Sequence, residues 1–484
     1  MTKFFIDQHG CAKNQVDAEV LISHLENLGL VQTFEPSDAD IIVINSCGFI
    51  QSAKEESLNA VCVAKNDYPN AKIILAGCLA ERYAQELNES LPEADAIFGN
   101  GNLEKIDEVI KNIQGGKKSV VKAEQKGISC TNRKTFLSYR GSSYVKITEG
   151  CNNCCSFCAI PLIRGSLRSR KALEIVSEIK NLVSNGIVEI NLIGQDLAAY
   201  GTGVSDDVFG NGREKLFSIT ENSKENMSAL SRLLQNISEI PGNFRIRLLY
   251  IHPDHFDKNI LSVMKNDSRF IPYFDIPFQS GDDYLIKKMN RIGSSTQYLN
   301  LVSSIRSVFP NAAIRTTFLT GFPGETEQMF SNTKAFLKEL NASWGGCFTY
   351  SKEDDTPAFS MKNQVSKKIA KERAEELTKL QAECTQNYLK QFVGTSSDVL
   401  IEEVLDGEDS FAIARAWFQA PEVDGSVVVR FDKEDSLSHL VKPGRFVKVR
   451  FDSVSAVDLS GVLISDSLFN SSSDSEYVFA PEEI

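Results

Sequence analysis

Short apolar runs separated by longer amphipathic stretches dominate the first part of the chain. Runs at 3–7, 40–45 and 72–76 predict strands, and stretches at 18–28 and 51–65 predict helices. Residues 1–115 therefore read as an α/β domain, and the polar stretch 116–143 reads as a linker. The alternation then resumes. Strands are predicted at 144–148, 189–193, 245–250, 273–276, 313–319 and 346–350, with helical patterns between them. Six β/α units imply a parallel sheet with right-handed crossovers, too few for a full eight-stranded barrel. The expectation over 144–364 is an open, partial (β/α)6 TIM barrel. A Gly-, Ser-, Asp- and Asn-rich stretch at 201–227 reads as a long mobile insertion.

Residues 365–391 form one long helical pattern. The texture then changes. Short β-rich runs at 399–404, 411–417, 426–431, 446–451 and 461–464 predict a small antiparallel β-barrel over 392–465. The Ser-rich, acidic stretch 466–484 is expected to be disordered. The fold class is thus α/β multidomain with a small all-β domain at the end.

Composition narrows the function. No apolar run approaches the length that spans a bilayer, and the opening residues lack the layout of a signal peptide, so a cytoplasmic protein is expected. The formal charge of −12 disfavours a general binder of phosphate backbones and suits a basic partner. Eleven cysteines are many for a compartment where disulfides are rare, and they direct attention to metal chemistry.

The strongest signal is Cys151-Asn-Asn-Cys154-Cys155-Ser-Phe-Cys158, just after the first barrel strand. Thiolates at Cys151, Cys155 and Cys158 suit three irons of a 4Fe–4S cluster and leave the fourth open. An open iron can chelate S-adenosylmethionine (SAM) through its amino and carboxylate groups, and one electron then splits the sulfonium to give a carbon radical. A structural zinc site is the competing reading, but zinc wants a closed tetrahedral set and no second half lies nearby. Cys154 is a substitute ligand at most. Cys11, Cys47 and Cys78 each follow a predicted parallel strand, at the edge where α/β sheets bind ligands. They are read as a second three-thiolate cluster site, against the alternative of buried structural thiols. Cys62, Cys347 and Cys384 are read as packing residues, and Cys130 has no matching pattern.

Taken together, these features resemble the radical-SAM methylthiotransferase family, over about residues 3 to 464. The resemblance implies a Rossmann-like N-terminal domain, a radical-SAM partial barrel and a TRAM domain, with two 4Fe–4S clusters and SAM as cofactors. One branch of the family modifies an adenosine of tRNA. Another modifies the β-carbon of an aspartate in protein twelve of the small ribosomal subunit. Gly10-Cys-Ala-Lys-Asn-Gln-Val-Asp17, Asn45-Ser-Cys-Gly-Phe-Ile50, Ala159-Ile-Pro-Leu-Ile-Arg-Gly165, Phe348-Thr-Tyr-Ser-Lys-Glu353 and Ala420-Pro-Glu-Val-Asp-Gly425 resemble the ribosomal branch. Ser280 and Ile413-Ala-Arg415 depart from it.

The resemblance also suggests SAM contacts. Gly194, Gln195 and Asp196 end the second barrel strand, where an acceptor suits the ammonium of SAM; a β–α turn capped by Asp196 competes with this. Gly321, Gly324 and Glu325 follow the fifth strand, where glycines would let backbone approach the cofactor. Arg164, Arg168 and Arg170 are candidates to pair carboxylates of SAM or of a substrate aspartate, or are simply a solvated basic stretch. Asp275, Gln279, His252 and His255 are read as pocket lining or fold residues.

The implied partners are the ribosomal protein, an electron donor such as flavodoxin or ferredoxin, and a sulfur source. No membrane is implied, and direct RNA binding is not expected. Residues 392–465 carry thirteen Asp and Glu against seven Lys and Arg, a balance that suits a basic protein better than RNA. A tRNA adenosine methylthiotransferase remains the alternative enzyme. A non-catalytic iron–sulfur carrier is the alternative from another class, and it would not need the six-stranded barrel.

Overall fold

The computed structural model describes all residues except 126, 130–131, 217–226, 406–409, 433, 435, 468–476 and 481–484. The N-terminal sheet contains β1 (Lys3–Gln8), β2 (Val31–Gln32), β3 (Ile41–Ser46), β4 (Lys72–Gly77), β5 (Ala96–Phe98) and β6 (Ser119–Val121). All pairs are parallel, in the spatial order β2-β1-β3-β4-β5-β6. Its strands read as continuous apolar runs because helices cover both faces. β2 and β5 are too short to leave a pattern. β6 falls inside the stretch expected to be a linker, so the first domain extends past residue 115.

The rest of that stretch is also built in. Arg133 is buried, forms ion pairs with Glu19 of the first domain and Glu178 of the barrel, and donates to the Tyr144 carbonyl at 2.9 Å. The short β7 (Thr135–Phe136) pairs with β21 (Val478–Phe479), and the ring of the fully buried Phe136 meets Tyr477 and Phe479. The expected tail therefore returns to the body of the protein in its described part. An aromatic anchor overrides the polar composition around it.

The barrel starts at β8 (Ser142–Lys146), followed by a small pair β9 (Thr148–Glu149) and β10 (Arg168–Ser169). It continues through β11 (Glu189–Ile193), β12 (Arg245–Leu248), β13 (Phe270–Asp275), β14 (Ala313–Thr320) and β15 (Trp344–Thr349). Six parallel strands run in the order β15-β14-β13-β12-β11-β8 and do not close. Alternate residues serve opposite faces. Val145, Leu192, Leu248, Phe274 and Phe318 face the outer helices. Tyr144, Leu249, Tyr273 and Trp344 join a second core on the other face.

That inner core is completed by the last domain. Strands β16 (Ser396–Leu405), β17 (Phe411–Ala416), β18 (Val427–Arg430), β19 (Phe446–Ser455) and β20 (Asp458–Asp466) form a closed barrel. Its segment 415–424 enters the lumen of the larger barrel. Arg415 pairs with Glu189 and Glu402, the Trp344 indole donates to the Phe418 carbonyl at 2.5 Å, and Asp424 accepts from Tyr273 at 2.7 Å and meets Arg315 at 3.3 Å. The Arg415 that departs from the family pattern is thus the centre of this contact. Glu402 and Asp424 are consumed there, so part of the domain's acidic surplus is internal and does not face a partner.

The helix Lys367–Lys390 straps the barrel as expected, through Gln381 donating to the Ala342 carbonyl and Thr385 to that of Ser343. The insertion is not wholly a free loop. Val208 is buried in the barrel core, while 217–226 lie outside the described residues. No described helix is long and apolar enough to cross a membrane. Cys62 is exposed, against the expectation of packing, because its face of the helix Gln51–Asp67 meets solvent; Cys384 is buried and Cys347 half-buried.

Replacing Arg415 with Met leaves Glu189 and Glu402 buried without this partner. We expect a loss of about 3–5 kcal/mol, the usual cost of halving a buried ion pair. It should be read as a lower urea midpoint and as early proteolytic release of the last domain.

Candidate functional site

The register places three cysteines at one edge. Gln8 pairs with Asn45, and Ser46 pairs with Gly77, so β1, β3 and β4 end level with one another. Cys11, Cys47 and Cys78 follow directly. Cys11 caps the helix Ala12–Asn27, and Cys78 opens the helix Cys78–Arg82. Small residues make room: a Cβ on Gly10 would come within 3.2 Å of the Cys47 Cβ, and one on Gly48 within 2.7 Å of the Cys78 carbonyl.

Asn14 holds the three loops together. Its amide donates to the carbonyls of His9, Asn45 and Ser46, and its oxygen accepts from Arg164 at 3.3 Å. Burial pushes the Cys78 thiol up to about 12 despite Arg164 beside it. Burial also raises Cys11, but Lys13, Arg164 and nearby N–H groups outweigh it and bring that thiol below its ordinary range.

The second trio lies in the loop 150–159. Gly150 has φ +74°, and a Cβ there would meet the Ser166 carbonyl at 2.3 Å. The loop is pinned by the Cys151 N–H to Gly165, the Ser156 N–H to Met289 and Asn290 to the Cys154 carbonyl. Cys154 is exposed with φ 51°, outside the trio's enclosure. Burial pushes Cys158 up to about 12 and raises Cys155, which Arg291 offsets in part. Cys151, Asn153, Asp196, Arg213 and His255 line a cavity of about 200 Å³.

The carboxyl edges of the two sheets face each other across a seam. Lys146, at the end of β8, and Arg164, at the end of the helix Ile160–Arg164, both reach Asp17 of the first domain, at 2.5 and 2.7 Å. Both also pair with Glu149, at 2.5 and 2.8 Å. Arg164 then donates to the Cys78 sulfur at 3.1 Å. Arg164, at the end of the helix that follows the barrel's cysteine loop, thus ties the barrel to the N-terminal trio. A second clamp closes the far side, where Glu353 accepts from Lys54 at 2.9 Å and Arg82 at 2.6 Å.

Both trios fit iron–sulfur clusters. Each offers three thiols, ranging from buried (Cys78, Cys155) to exposed (Cys11), with a guanidinium, Arg164 or Arg291, against the charge that ligation brings. Among the described residues no three His, Cys, Asp or Glu side chains converge on a single ion, as a bare zinc would need.

The other expected contacts divide. Asp196 accepts from the N–H groups of Ala198 and His252, from Asn153 and from His255. These donors match the cap reading, and Asp196 also lines the cavity beside Cys151. Gln195 donates to Glu149 at 3.2 Å, while its oxygen and the Thr148 hydroxyl are buried without a partner among the described residues. Gly194 packs against Thr148: a Cβ there would meet the hydroxyl at 2.0 Å.

Gly321 and Glu325 serve the strap helix instead of the cavity. Glu325 accepts from the Gly321 N–H and pairs with Arg373, and a Cβ on Gly321 would meet that of Ala370 at 2.3 Å. Gly324 faces Lys288 and donates to the Asn363 carbonyl. Arg168 is spent on the carbonyls of Gly127, Arg164 and Ser166, and Arg170 on Glu178 and the Lys146 carbonyl. Asp275 accepts from the Tyr250 N–H, and Gln279 bridges to β14 with φ 70°.

Asn14, Asp17, Lys146 and Glu149 were not anticipated. Cys11, Asn14 and Asp17 share a three-residue spacing, so one helix face is polar where a core face should be apolar, and that signal was available.

Comparison with known proteins agrees with this architecture. Residues 3–99 match the Uncharacterized protein family UPF0004, 145–337 the Radical SAM superfamily and 393–464 the TRAM domain. The chain is 50% identical over 477 residues to the ribosomal protein uS12 methylthiotransferase RimO of Treponema denticola, covering 95% of this chain and all of the relative. The protein of the same name from Carboxydothermus hydrogenoformans is 35% identical over 468 residues, covering 96% and 100%. Among solved structures, the radical S-adenosylmethionine methyltransferase TsrM of Kitasatospora setae, with cobalamin and a 4Fe–4S cluster bound, superposes with a TM-score of 0.51 at 14% identity, covering 74% of each chain. That likeness concerns the fold.

Glu353→Gln should loosen the far clamp, leaving two buried cations short of charge. Hydrogen exchange is expected to speed up in 51–57 and 351–356 but not in β1 or β3, measured by mass spectrometry.

Proposed function

The chain belongs to the ribosomal protein uS12 methylthiotransferase family, and from that premise we propose that it adds a methylthio group to the β-carbon of one aspartate of uS12. It is a radical-SAM methylthiotransferase that uses SAM and 4Fe–4S clusters. The observation that carries the substrate step is the facing of the two cysteine trios across one seam, with Arg164 bonded to Cys78. An aspartate β-carbon carries strong C–H bonds and no leaving group, so polar acid–base chemistry alone does not functionalise it. When bound, the clusters and SAM would supply what side chains lack: relay of one electron, hydrogen-atom abstraction, a site for the donated sulfur, and the methyl group.

In this reading Cys151, Cys155 and Cys158 hold the cluster that binds SAM, and Cys11, Cys47 and Cys78 hold the other. The open acceptors of Gln195 and Thr148 suit the ammonium of SAM. Asp196 positions Asn153 of the cluster loop and His255 of the cavity wall. Asp17, Lys146, Arg164 and Glu149 keep the two halves in register and exclude water from the seam. The electron comes from a small carrier such as flavodoxin or ferredoxin and the sulfur from a separate donor, in the cytoplasm where ribosomal protein is made.

Reconstituted protein is expected to hold about eight iron and eight sulfide. Changing Cys151, Cys155 and Cys158 together to Ala should halve the iron and abolish SAM cleavage. Changing Cys11, Cys47 and Cys78 should halve the iron and leave SAM cleavage measurable. Incubation with SAM, reductant and sulfide should add one methylthio group to uS12 and none to tRNA, by intact-mass and nucleoside analysis. Modification of tRNA alone contradicts the proposal.

A further inference from the structure

Most cations at the seam are matched to carboxylates, while Arg291 is spent on the Pro277 and Phe278 carbonyls beside Cys155. Lys146 and Arg164 share Asp17 and Glu149, and Lys54 and Arg82 share Glu353. Lys13 is also buried, at 9% exposure, yet among the described residues no carboxylate meets it. Its ammonium sits 3.1 Å above the ring of Tyr250, close enough to Cys11 to lower that thiol. A ring face offsets only part of the cost of burying a charge.

The platform under Lys13 is itself unusual. Tyr250 has φ 66°, a strained conformation for a bulky residue. It is held on both sides: its N–H donates to Asp275 at 3.2 Å, and its carbonyl accepts from Leu197, next to Asp196. The fold thus fixes an aromatic ring just past β12 and sets on it an ammonium that no carboxylate meets among the described residues. Lys13 lies two residues beyond Cys11, in the first turn of a sixteen-residue helix, whose amino end also favours an anion.

We propose that Lys13 is the anchor for the carboxylate of the substrate aspartate, and that it is the residue by which the enzyme distinguishes aspartate from its uncharged isostere. This rests on the reading of uS12 as substrate. An aspartate carboxylate lies one bond from the carbon to be modified, so an ammonium two residues past Cys11, on the ring of Tyr250, would hold that carbon beside the N-terminal trio. Arg164 already stands against the N-terminal thiolates, and the arriving carboxylate completes the pairing that the chain withholds from Lys13.

The test compares wild type with Lys13→Gln, Lys13→Met and Lys13→Arg, all reconstituted and matched for iron content. Calorimetry measures binding of uS12 and of uS12 carrying Asn at the modified aspartate. Wild type is expected to prefer the aspartate form by about 10- to 100-fold, the range of a charge-assisted hydrogen bond. Lys13→Gln and Lys13→Met should bind both forms alike, and Lys13→Arg should restore part of the preference. A neutral variant that keeps the full preference overturns the inference. So does a variant whose sole change is the reduction potential of the cluster at Cys11, which assigns Lys13 to that cluster. If wild type leaves uS12 unmodified, the functional reading itself falls; if wild type modifies it and the neutral variants discriminate equally well, only the role of Lys13 falls.

Discussion

Four charges in one buried knot determine how the two halves of this protein meet. Asp17 belongs to the first domain, and Lys146, Glu149 and Arg164 belong to the barrel. Such a knot adds little net stability, since desolvation offsets most of the attraction. Removing one member is costly, because it strands the others away from water. The knot therefore acts on register: only one docking of the domains satisfies all four. That docking puts Arg164 against the Cys78 sulfur, and Arg164 ends the five-residue helix that leaves the Cys158 loop. A shift of a few ångströms between domains would break the knot and separate the cysteine loops together.

The other contacts leave this seam as the working end. The last domain fills the barrel lumen from the opposite side through Arg415, Phe418 and Asp424. The strap helix holds the loop after β14 through Arg373 and Glu325. Arg133 ties the first domain to the barrel a third time. With the lumen occupied by protein, chemistry is confined to the carboxyl edges, where both cysteine trios stand.

What was legible in the sequence was what depends on near neighbours. The six barrel strands, the closed β-barrel and both cysteine trios follow from local periodicity and from the position of Cys residues just past strands. What was hidden depends on distant partners. Arg133 and Phe136 sit in a polar stretch whose importance comes from Glu19, Glu178 and Phe479. The acids of the last domain looked like a surface for a basic partner, yet Glu402 and Asp424 answer arginines in the barrel interface. Glu325, Arg168 and Arg170 bind other parts of the protein, and Asp196 caps a turn while lining the cavity, pairings that sequence alone does not display. Charge counted along a sequence does not say which charges remain unpaired once the chain has folded.

The claim on which the account turns is that the two trios hold clusters close enough to act on one substrate atom. Pulsed electron paramagnetic resonance of the reduced, fully reconstituted enzyme tests it directly. The account predicts dipolar coupling between the two clusters that is absent when either cysteine trio is removed. A spectrum equal to the plain sum of the two single-cluster variants would contradict it.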